Sequence, residues 1–274
     1  MRSETYSTPG PLRLNFEIPS GRIEIDTAAT DETHVELEAL STSDSVRELV
    51  ESARIELLRR GEGQEVVVDV QARHGFWISF DRGPDIRLRV TCPEGADLDI
   101  RTKSADVDAR GQYGVVDVNT ASGDITVQET RGDARVKTAS GDVKLEQVAG
   151  RLDVNSVSGD VHVDHVARET NAQLVSGDIY VREAADAVSA NSVSGDQRLE
   201  TVSKGRVDLR AISGDISVGI KKGTRLFVDA NTVSGSTSSA VELGDAPAGG
   251  AQSDGPLVEL FAKTVSGDIR IERS

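Results

Sequence analysis

The sequence predicts an all-β protein, a single-chain parallel β-solenoid with about 18 residues per coil and one short N-terminal helix. Three observations predict this fold class. The tripeptide Ser-Gly-Asp recurs every 18 residues, starting at Ser122, Ser140, Ser158, Ser176 and Ser194. Apolar and polar residues alternate between these tripeptides, as in a strand with one buried face. Aromatic residues are only 3% of the 274 residues, so a thin core of Val, Ile, Leu and Ala is expected.

Residues 1–94 are expected to form strands and a capping helix that continue into the solenoid. "LRLNFEIPSGRIEIDT" alternates around Pro19-Ser20-Gly21, which indicates a hairpin or a corner, and "HVELEAL" is a second alternating strand. Ser45 and Glu48 have the spacing of a capping box, and the helix that they begin is expected to end near Ala53. "RIELLRRGEGQEVVVDV" then predicts two strands around a Gly-rich turn.

Residues 95–274 are expected to form the regular solenoid, built from nonapeptides. "GDITVQETR" is followed by "GDARVKTAS" and "GDVKLEQVA", with apolar residues at the third and fifth places of most units. A hexapeptide repeat would instead make Ile125, Arg131 and Lys137 equivalent, which a core does not tolerate. Two nonapeptides therefore close one coil, and successive coils are expected to stack at about 4.8 Å, the spacing of paired strands.

The end of the repeat is less regular. "RLFVDANTVSGS" predicts one more coil over residues 225–236, and a Gly- and Ala-rich stretch predicts a loop insertion near residues 237–256. "PLVELFAKTVSGDIRIER" then predicts two strands that close the C-terminal end, because an open coil would be a template for edge pairing.

Charge and composition limit the partners. The formal net charge of −15 repels phosphates, so nucleic acid is not expected as a partner. Cys92 is the only cysteine, which excludes an internal disulfide and a multi-cysteine metal site. The sequence shows neither an apolar signal-peptide stretch nor a membrane span, so a cytoplasmic location is expected. No cofactor is predicted.

An aspartate ladder is the first candidate site. Stacked coils would place one Asp above another along one edge, and like charges about 5 Å apart repel. A row of cations such as calcium is one answer, although a single-Gly turn offers few ligands. The favoured interpretation is that each Asp accepts N–H bonds within its own turn. The candidate metal ligands here are Asp124, Asp142, Asp160 and Asp178.

Two further clusters carry candidate residues. In "DVHVDHV", His162 and Asp164 share an outward strand face, and with His165 they make a surface zinc site conceivable, although solvated surface residues are the favoured interpretation. "HGFWISF" contains Phe76, Trp77 and Phe80, which predict either a local core or an exposed contact site.

No enzyme signature is present: the sequence lacks G-x-S-x-G, a phosphate loop and H-E-x-x-H. Catalytic residues are therefore not predicted, and the aromatic-poor repeat offers little surface for stacking sugars. A carbohydrate-binding or carbohydrate-active solenoid remains an alternative, and so does a calcium-stabilised repeat protein.

The repeated Ser-Gly-Asp turns, "FEIPSGRIEI" and the closing "AKTVSGDIRIERS" resemble a bacterial family of β-strand-repeat proteins, labelled "putative adhesin" and grouped with toast-rack-type domains. The resemblance covers nearly the whole chain. It implies a β-solenoid of unknown function with a link to envelope or stress systems, and it implies no catalytic residue. The sequence thus predicts a non-enzymatic scaffold or interaction protein whose partner, ligand and oligomeric state it does not name.

Overall fold

The computed structural model describes residues 1–61, 63–70, 85–240 and 255–274. The chain divides into two compact units, Met1–Lys144 and Leu145–Ser274. Each is built from short strands that pair in parallel with the equivalent strands of the next coil, which confirms the predicted all-β solenoid with one short helix. The predicted division at residues 94 and 95 falls inside the first unit, between two strands that pair with the same neighbour.

The first unit contains the helix and the irregular strands. Its elements are β1 Arg2–Ser7, β2 Leu12–Ala28, β3 Glu32–Ala39, α1 Asp44–Ser52, β4 Arg54–Arg60, β5 Gly63–Asp69, β6 Ile86–Pro93, β7 Asp97–Tyr113, β8 Val116–Ser122, β9 Ile125–Thr130 and β10 Ala134–Ser140.

The second unit continues the repeat. Its elements, of which the first has two residues in the first unit, are β11 Val143–Val148, β12 Leu152–Ser158, β13 Val161–Val166, β14 Thr170–Ser176, β15 Ile179–Ala184, β16 Val188–Ser194, β17 Gln197–Val202, β18 Gly205–Ser213, β19 Ile216–Ile220, β20 Arg225–Ser234, β21 Thr237–Ser239, β22 Leu257–Ser266 and β23 Ile269–Arg273.

The 18-residue period sets the strand register in both units. In the first unit Val136 of β10 lies beside Val118 of β8. In the second unit Ser158 lies beside Ser176, and Ser176 beside Ser194. Equivalent residues of successive coils are therefore neighbours, so that each buried position becomes a column of like side chains.

The corner glycines explain why the tripeptide recurs. Gly177 has a φ of +121°, and a Cβ at this position would lie 2.2 Å from the carbonyl oxygen of Gly159. A side chain would be both strained and in collision with the backbone of the preceding coil. The repeat therefore has Gly with a positive φ at this corner from Gly123 onward, whereas the preceding coil has Ala105 there.

The interior columns are mainly aliphatic, with buried Thr and Ser residues in some of them and one buried amide. Ile125, Val143 and Val161 are all buried, as the nonapeptide model requires. In the second unit the column runs through Val161, Ile179, Gln197, Ile216 and Ile269. Gln197 is a fully buried amide in this apolar column. Its Nε2 donates to Ser192 Oγ and to the Arg210 carbonyl, each at 2.8 Å, whereas its Oε1 has no partner.

The N-terminal strands differ from the repeat. β2 is one continuous strand that passes through a corner at Gly21, where φ is +113°, and it pairs in parallel with β5, β6 and β7. The corner alternative for Pro19-Ser20-Gly21 is therefore correct. β3 pairs antiparallel with both β1 and β6, and β1 was not predicted.

The helix lies where the sequence predicts, with a different start. It runs from Asp44 to Ser52, and Val46, Leu49 and Val50 are buried. The N-cap residue is Ser43, which makes no side-chain capping bond, because its hydroxyl contacts that of Ser45 at 2.6 Å. The predicted capping box of Ser45 and Glu48 is thus wrong by two residues. β4 and β5 form the predicted antiparallel pair.

The C-terminal strands occupy an unexpected place. β22 pairs in parallel with β18 on one side and with β20 on the other, and β23 lies likewise between β19 and β21. The chain thus returns from residue 255 to insert a coil, and does not close the end as expected. Val258, Leu260 and Ala262 suit this enclosed position because all three are fully buried.

Candidate functional site

The aspartate ladder is a chain of backbone hydrogen bonds between coils. In the first unit the N–H of Asp142 donates to Oδ1 of Asp124 at 2.9 Å. In the second unit the N–H groups of Asp178, Asp196, Asp215 and Asp268 each donate to Oδ1 of the preceding ladder residue, over 2.7–2.8 Å. Each carboxylate therefore binds the turn of the next coil, whereas a bond within its own turn was expected.

The last ladder residue shows the electrostatic effect of this arrangement. Oδ1 of Asp268 accepts the backbone N–H of Ser236 at 2.9 Å and its hydroxyl at 3.0 Å. These two hydrogen bonds lower the pKa of the Asp268 carboxyl, because they favour its charged form. The N–H bonds thus offset part of the repulsion between stacked carboxylates.

In several coils an inward hydroxyl residue donates a hydrogen bond to the corner. Thr120 Oγ1 donates to the carbonyl of Ser122 at 2.7 Å, and Thr138 Oγ1 donates to that of Ser140 at 2.8 Å. Ser156 does the same to Ser158 at 3.1 Å. In these coils the corner is therefore stabilised by a hydrogen bond from the residue two places before the Ser of the tripeptide.

The residues of the histidine cluster contact neighbouring charged side chains. Asp164 Oδ1 lies 3.1 Å from His162 Nε2 and 3.0 Å from an Arg182 nitrogen, and His165 Nδ1 lies 3.5 Å from Glu183 Oε2. The rings of His162 and Tyr180 stack with centroids 4.5 Å apart. Over the described part of the chain, no group of three or more His, Cys, Asp or Glu is placed to hold a metal ion.

The aromatic segment lies outside the described residues. Phe76, Trp77 and Phe80 fall within residues 71–84, and most of the expected loop falls within residues 241–254. The contact role expected for the three aromatic side chains stays a prediction.

A charged cleft lies on the sheet of the first unit. It has a volume of about 470 Å³ and lies over β2, β5 and β7. Its charged and amide side chains are Arg13, Asn15, Arg60, Gln64, Glu65, Asp97, Asp99 and Arg101. The sequence did not point to it, because its members are brought together only by strand register.

Two carboxylates in this cleft are nearly buried although they point outward. The Asp99 side chain is 8% exposed and pairs with Arg13 at 2.5 Å and Arg101 at 3.2 Å. The Glu65 side chain is 5% exposed and pairs with Arg60 at 2.5 Å, and Asn15 donates to it at 3.1 Å. Burial alone would raise the pKa of Glu65, but these two hydrogen bonds outweigh it and lower the pKa. A carboxylate held ionised in this way is unsuited to general-acid chemistry.

An exposed aliphatic row runs along the second unit. One Val or Ile precedes the corner Ser in each coil there, and strand register makes them neighbours. In spatial order the row is Val157, Val175, Val193, Ile212, Val265 and Val233. The first five are 45–54% exposed and the last is 81% exposed. Five steps of about 4.8 Å give the row a length of about 24 Å.

Polar rows border the aliphatic row. Two residues earlier in the strand lies the row Asn155, Gln173, Asn191, Arg210 and Lys263, and three residues later lies the aspartate ladder. The first unit has Ala121 and Ala139 at the equivalent places, so the row is confined to the second unit. The signal is present in the sequence as "VSGD" and "ISGD", in which one aliphatic residue precedes the corner Ser.

The fold and these surfaces define a class, the short-coil β-solenoid repeat proteins with flat outer faces. The chain belongs to the Toastrack DUF4097 family, whose model matches residues 12–243. This family has no established specific function. No curated protein matches the chain significantly.

Two solved structures are similar over nearly their full length. A "putative cell adhesion protein" from Clostridium sporogenes ATCC 15579 is 10% identical with a TM-score of 0.29, and the match covers 100% of this chain and 99% of that one. A "putative adhesin" from Bacteroides fragilis NCTC 9343 is 13% identical with a TM-score of 0.32, and the match covers 98% and 96%. At these TM-scores the likeness carries no argument about function.

Proposed function

We propose that this chain is a non-enzymatic interaction protein that binds a partner protein along the aliphatic row of its second unit. The observation that carries the proposal is that six β-branched aliphatic side chains are 45–81% exposed, one per coil, in strand register. Single exposed apolar residues are ordinary, whereas contiguous apolar surface bordered by polar groups is typical of contact sites.

The energetics favour selection for binding over selection for folding. These six side chains lie on the outer face, outside the buried columns, so burial in the core does not account for an aliphatic residue at each of them. Covering the row with a partner would remove apolar area from water at about 25 cal/mol per Å². The flat pleated surface also needs little rearrangement on binding, which keeps the entropic cost low.

The bordering rows indicate what the partner carries. The aspartate ladder on one side favours Lys or Arg on the partner, and on the other side the amides Asn155, Gln173 and Asn191 offer both donors and acceptors. The formal net charge of −15 favours a basic partner more generally and disfavours nucleic acid. The partner is therefore expected to present an apolar strip with basic residues along one border.

Carbohydrate binding is the second candidate, supported by the cleft of the first unit. Polar planar groups such as Arg13, Asn15 and Arg101 suit sugar hydroxyls. A glycosidase, however, needs one carboxyl with a raised pKa, and that of Glu65 is lowered. The cleft therefore supports binding of a polar ligand better than hydrolysis.

No helix among the described residues is long and apolar enough to cross a membrane. The cytoplasmic location and the link to envelope or stress systems stay predictions.

A photo-crosslinking residue placed at Val175, in cells that express the full chain, tests the proposal. We expect a discrete adduct that is lost when Val193 is changed to Lys and kept when Gln147, an exposed polar residue of β11 away from the aliphatic row, is changed to Lys. Thermal unfolding of both variants should match that of the wild type. An adduct equally strong from a probe at exposed Lys137 in the first unit, or no adduct at all, would count against the aliphatic row.

A further inference from the structure

Among the residues that the structure describes, the outermost coil of the second unit is built like an interior one but has no coil on its outer side. Leu226 and Val228 of β20 lie beside Val258 and Leu260 of β22 in the column that faces the core. The two β22 residues are fully buried, whereas Leu226 and Val228 are only half-buried. The aliphatic column therefore ends at β20 with side chains that are partly exposed to solvent.

The two strands of this coil end the solenoid differently. β21 has only hydroxyl residues, in "TSS", where the adjacent β23 has Ile269 and Ile271, so its end is polar. β20 keeps its aliphatic pattern, and Phe227 is 53% exposed although its ring lies 5.9 Å from that of Phe261. Only the β20 half of the end is therefore apolar.

The outer edge of β20 is also open to hydrogen bonding. β20 pairs with β22, and within the described ranges no second strand pairs with its other side. The strand contains neither Lys nor Pro, the residues that commonly protect an edge. Its unpaired N–H and C=O groups are a template for another strand.

We propose that this edge pairs antiparallel with the same edge of a second copy of the chain, with Phe227 on the two-fold axis. Charge complementarity along β20 selects the second copy. Arg225 and Asp229 are both exposed, lie on one face and are two residues on either side of Phe227. Antiparallel self-pairing centred on Phe227 places each Arg225 opposite the partner's Asp229, twice in one interface.

The same register matches the inward face. Leu226 comes opposite the partner's Val228, so the two open cores cover each other, and the two Phe227 rings meet on the outer face. Arg225 Nε donates to the carbonyl of Gly255, and the remaining donors of its guanidinium can pair with Asp229. A single strand register therefore pairs the open backbone groups of β20, covers its half-buried aliphatic side chains and places its opposite charges together.

Sedimentation of the full chain over a range of concentrations, with charge-reversal variants, tests the proposal. We expect a wild-type dimer, and dissociation at least about tenfold easier in Asp229→Arg, which places like charges opposite each other twice. Arg225→Glu alone should weaken the dimer similarly, and the double variant Arg225→Glu with Asp229→Arg should restore it. Lys137→Glu, a charge reversal on the first unit, is the control and should leave the dimer unchanged.

Three outcomes would overturn the proposal. They are a wild-type chain that stays monomeric at every concentration, a dimer insensitive to Asp229→Arg, and a monomer that dimerises only when residues 241–254 are deleted. The third outcome would mean that residues 241–254, and not a second copy of the chain, cover the outer edge of β20. Val175→Lys should leave the dimer intact, so this test fails or succeeds separately from that of the aliphatic row.

Discussion

The backbone N–H of Asp196 donates a hydrogen bond to Oδ1 of Asp178 over 2.7 Å, from one coil to the next. The same bond recurs from Asp178 to Asp160 at 2.8 Å and from Asp215 to Asp196 at 2.8 Å. The aspartate ladder, which suggested a row of cations, therefore links the corners of successive coils through hydrogen bonds. Each carboxylate holds the N–H that the tight Gly turn leaves outside the strand ladder.

We expect Asp178→Ala to lower the free energy of unfolding by about 1 kcal/mol, because the Asp196 N–H loses its acceptor. Asp178→Asn keeps an Oδ1 acceptor and should recover most of that loss. Urea unfolding with an unchanged m-value measures both. Equal midpoints for the Ala and Asn variants would show that the bond contributes nothing.

Calcium should not change the melting temperature. Oδ1 of Asp178 already accepts a backbone N–H, and the structure, over the residues that it describes, shows no group of three or more metal-ligating side chains. Thermal melts in calcium and in chelator should superimpose. A higher midpoint in calcium would instead support the calcium-stabilised alternative, because a ligand bound to the folded state raises its stability.

Gly159→Val should destabilise the chain far more than His162→Ala. Gly159 has a φ of +112°, a region that a β-branched residue rarely adopts, at a cost of about 1–3 kcal/mol before any collision. His162 is a partly exposed side chain whose loss removes a ring stack and a surface contact, at a cost of about 1 kcal/mol or less. Similar melting temperatures for the two variants would contradict the need for Gly at the corner.

Gln197→Ile should leave the protein as stable or stabilise it by about 1 kcal/mol, because it removes a buried Oε1 without a partner and completes an aliphatic column. The matched control is Ile179→Gln, the reverse change one coil away, which should cost about 3 kcal/mol or more. Chemical denaturation compares the two. If Gln197→Ile is as damaging as Ile179→Gln, the amide of Gln197 holds the column together through Ser192 and Arg210.

Lowering the pH should reduce the free energy of unfolding of the wild type more than that of the Glu65→Gln variant. The pKa of Glu65 in the folded state is below its ordinary value of 4.5, so the stability that it contributes is present above that value and is lost as the pH falls through the folded pKa. At neutral pH the variant should be less stable by about 1 kcal/mol. Glu17→Gln, an exposed carboxylate on the neighbouring strand, is the control, and parallel pH profiles for all three proteins would exclude this role for Glu65.

The local patterns in the sequence were sufficient to predict the solenoid coil but not the charged cleft of the first unit. The period of 18, the alternation around Val161 and Val163, and the corner Gly all act within a few residues, and each was visible before the structure. The cleft was not, because Glu65, Arg13 and Asp99 come from three strands that are distant in the chain. Their outward positions also predicted exposure, whereas ion pairing with Arg13, Arg60 and Arg101 buries the two carboxylates.

The sequence by itself determined the solenoid, its coil length, its aliphatic columns and the place of its helix, because each depends on a short pattern repeated in register. Only the tertiary structure decided the order of the last coils. "NTVSGS" and "KTVSGD" carry nearly the same corner, so either could follow β18, and chain order does not distinguish them. What decides is burial: β22 and β23 have aliphatic residues for an enclosed position, whereas β21 has hydroxyl residues that tolerate water, so the later strands lie inside and the earlier ones form the end.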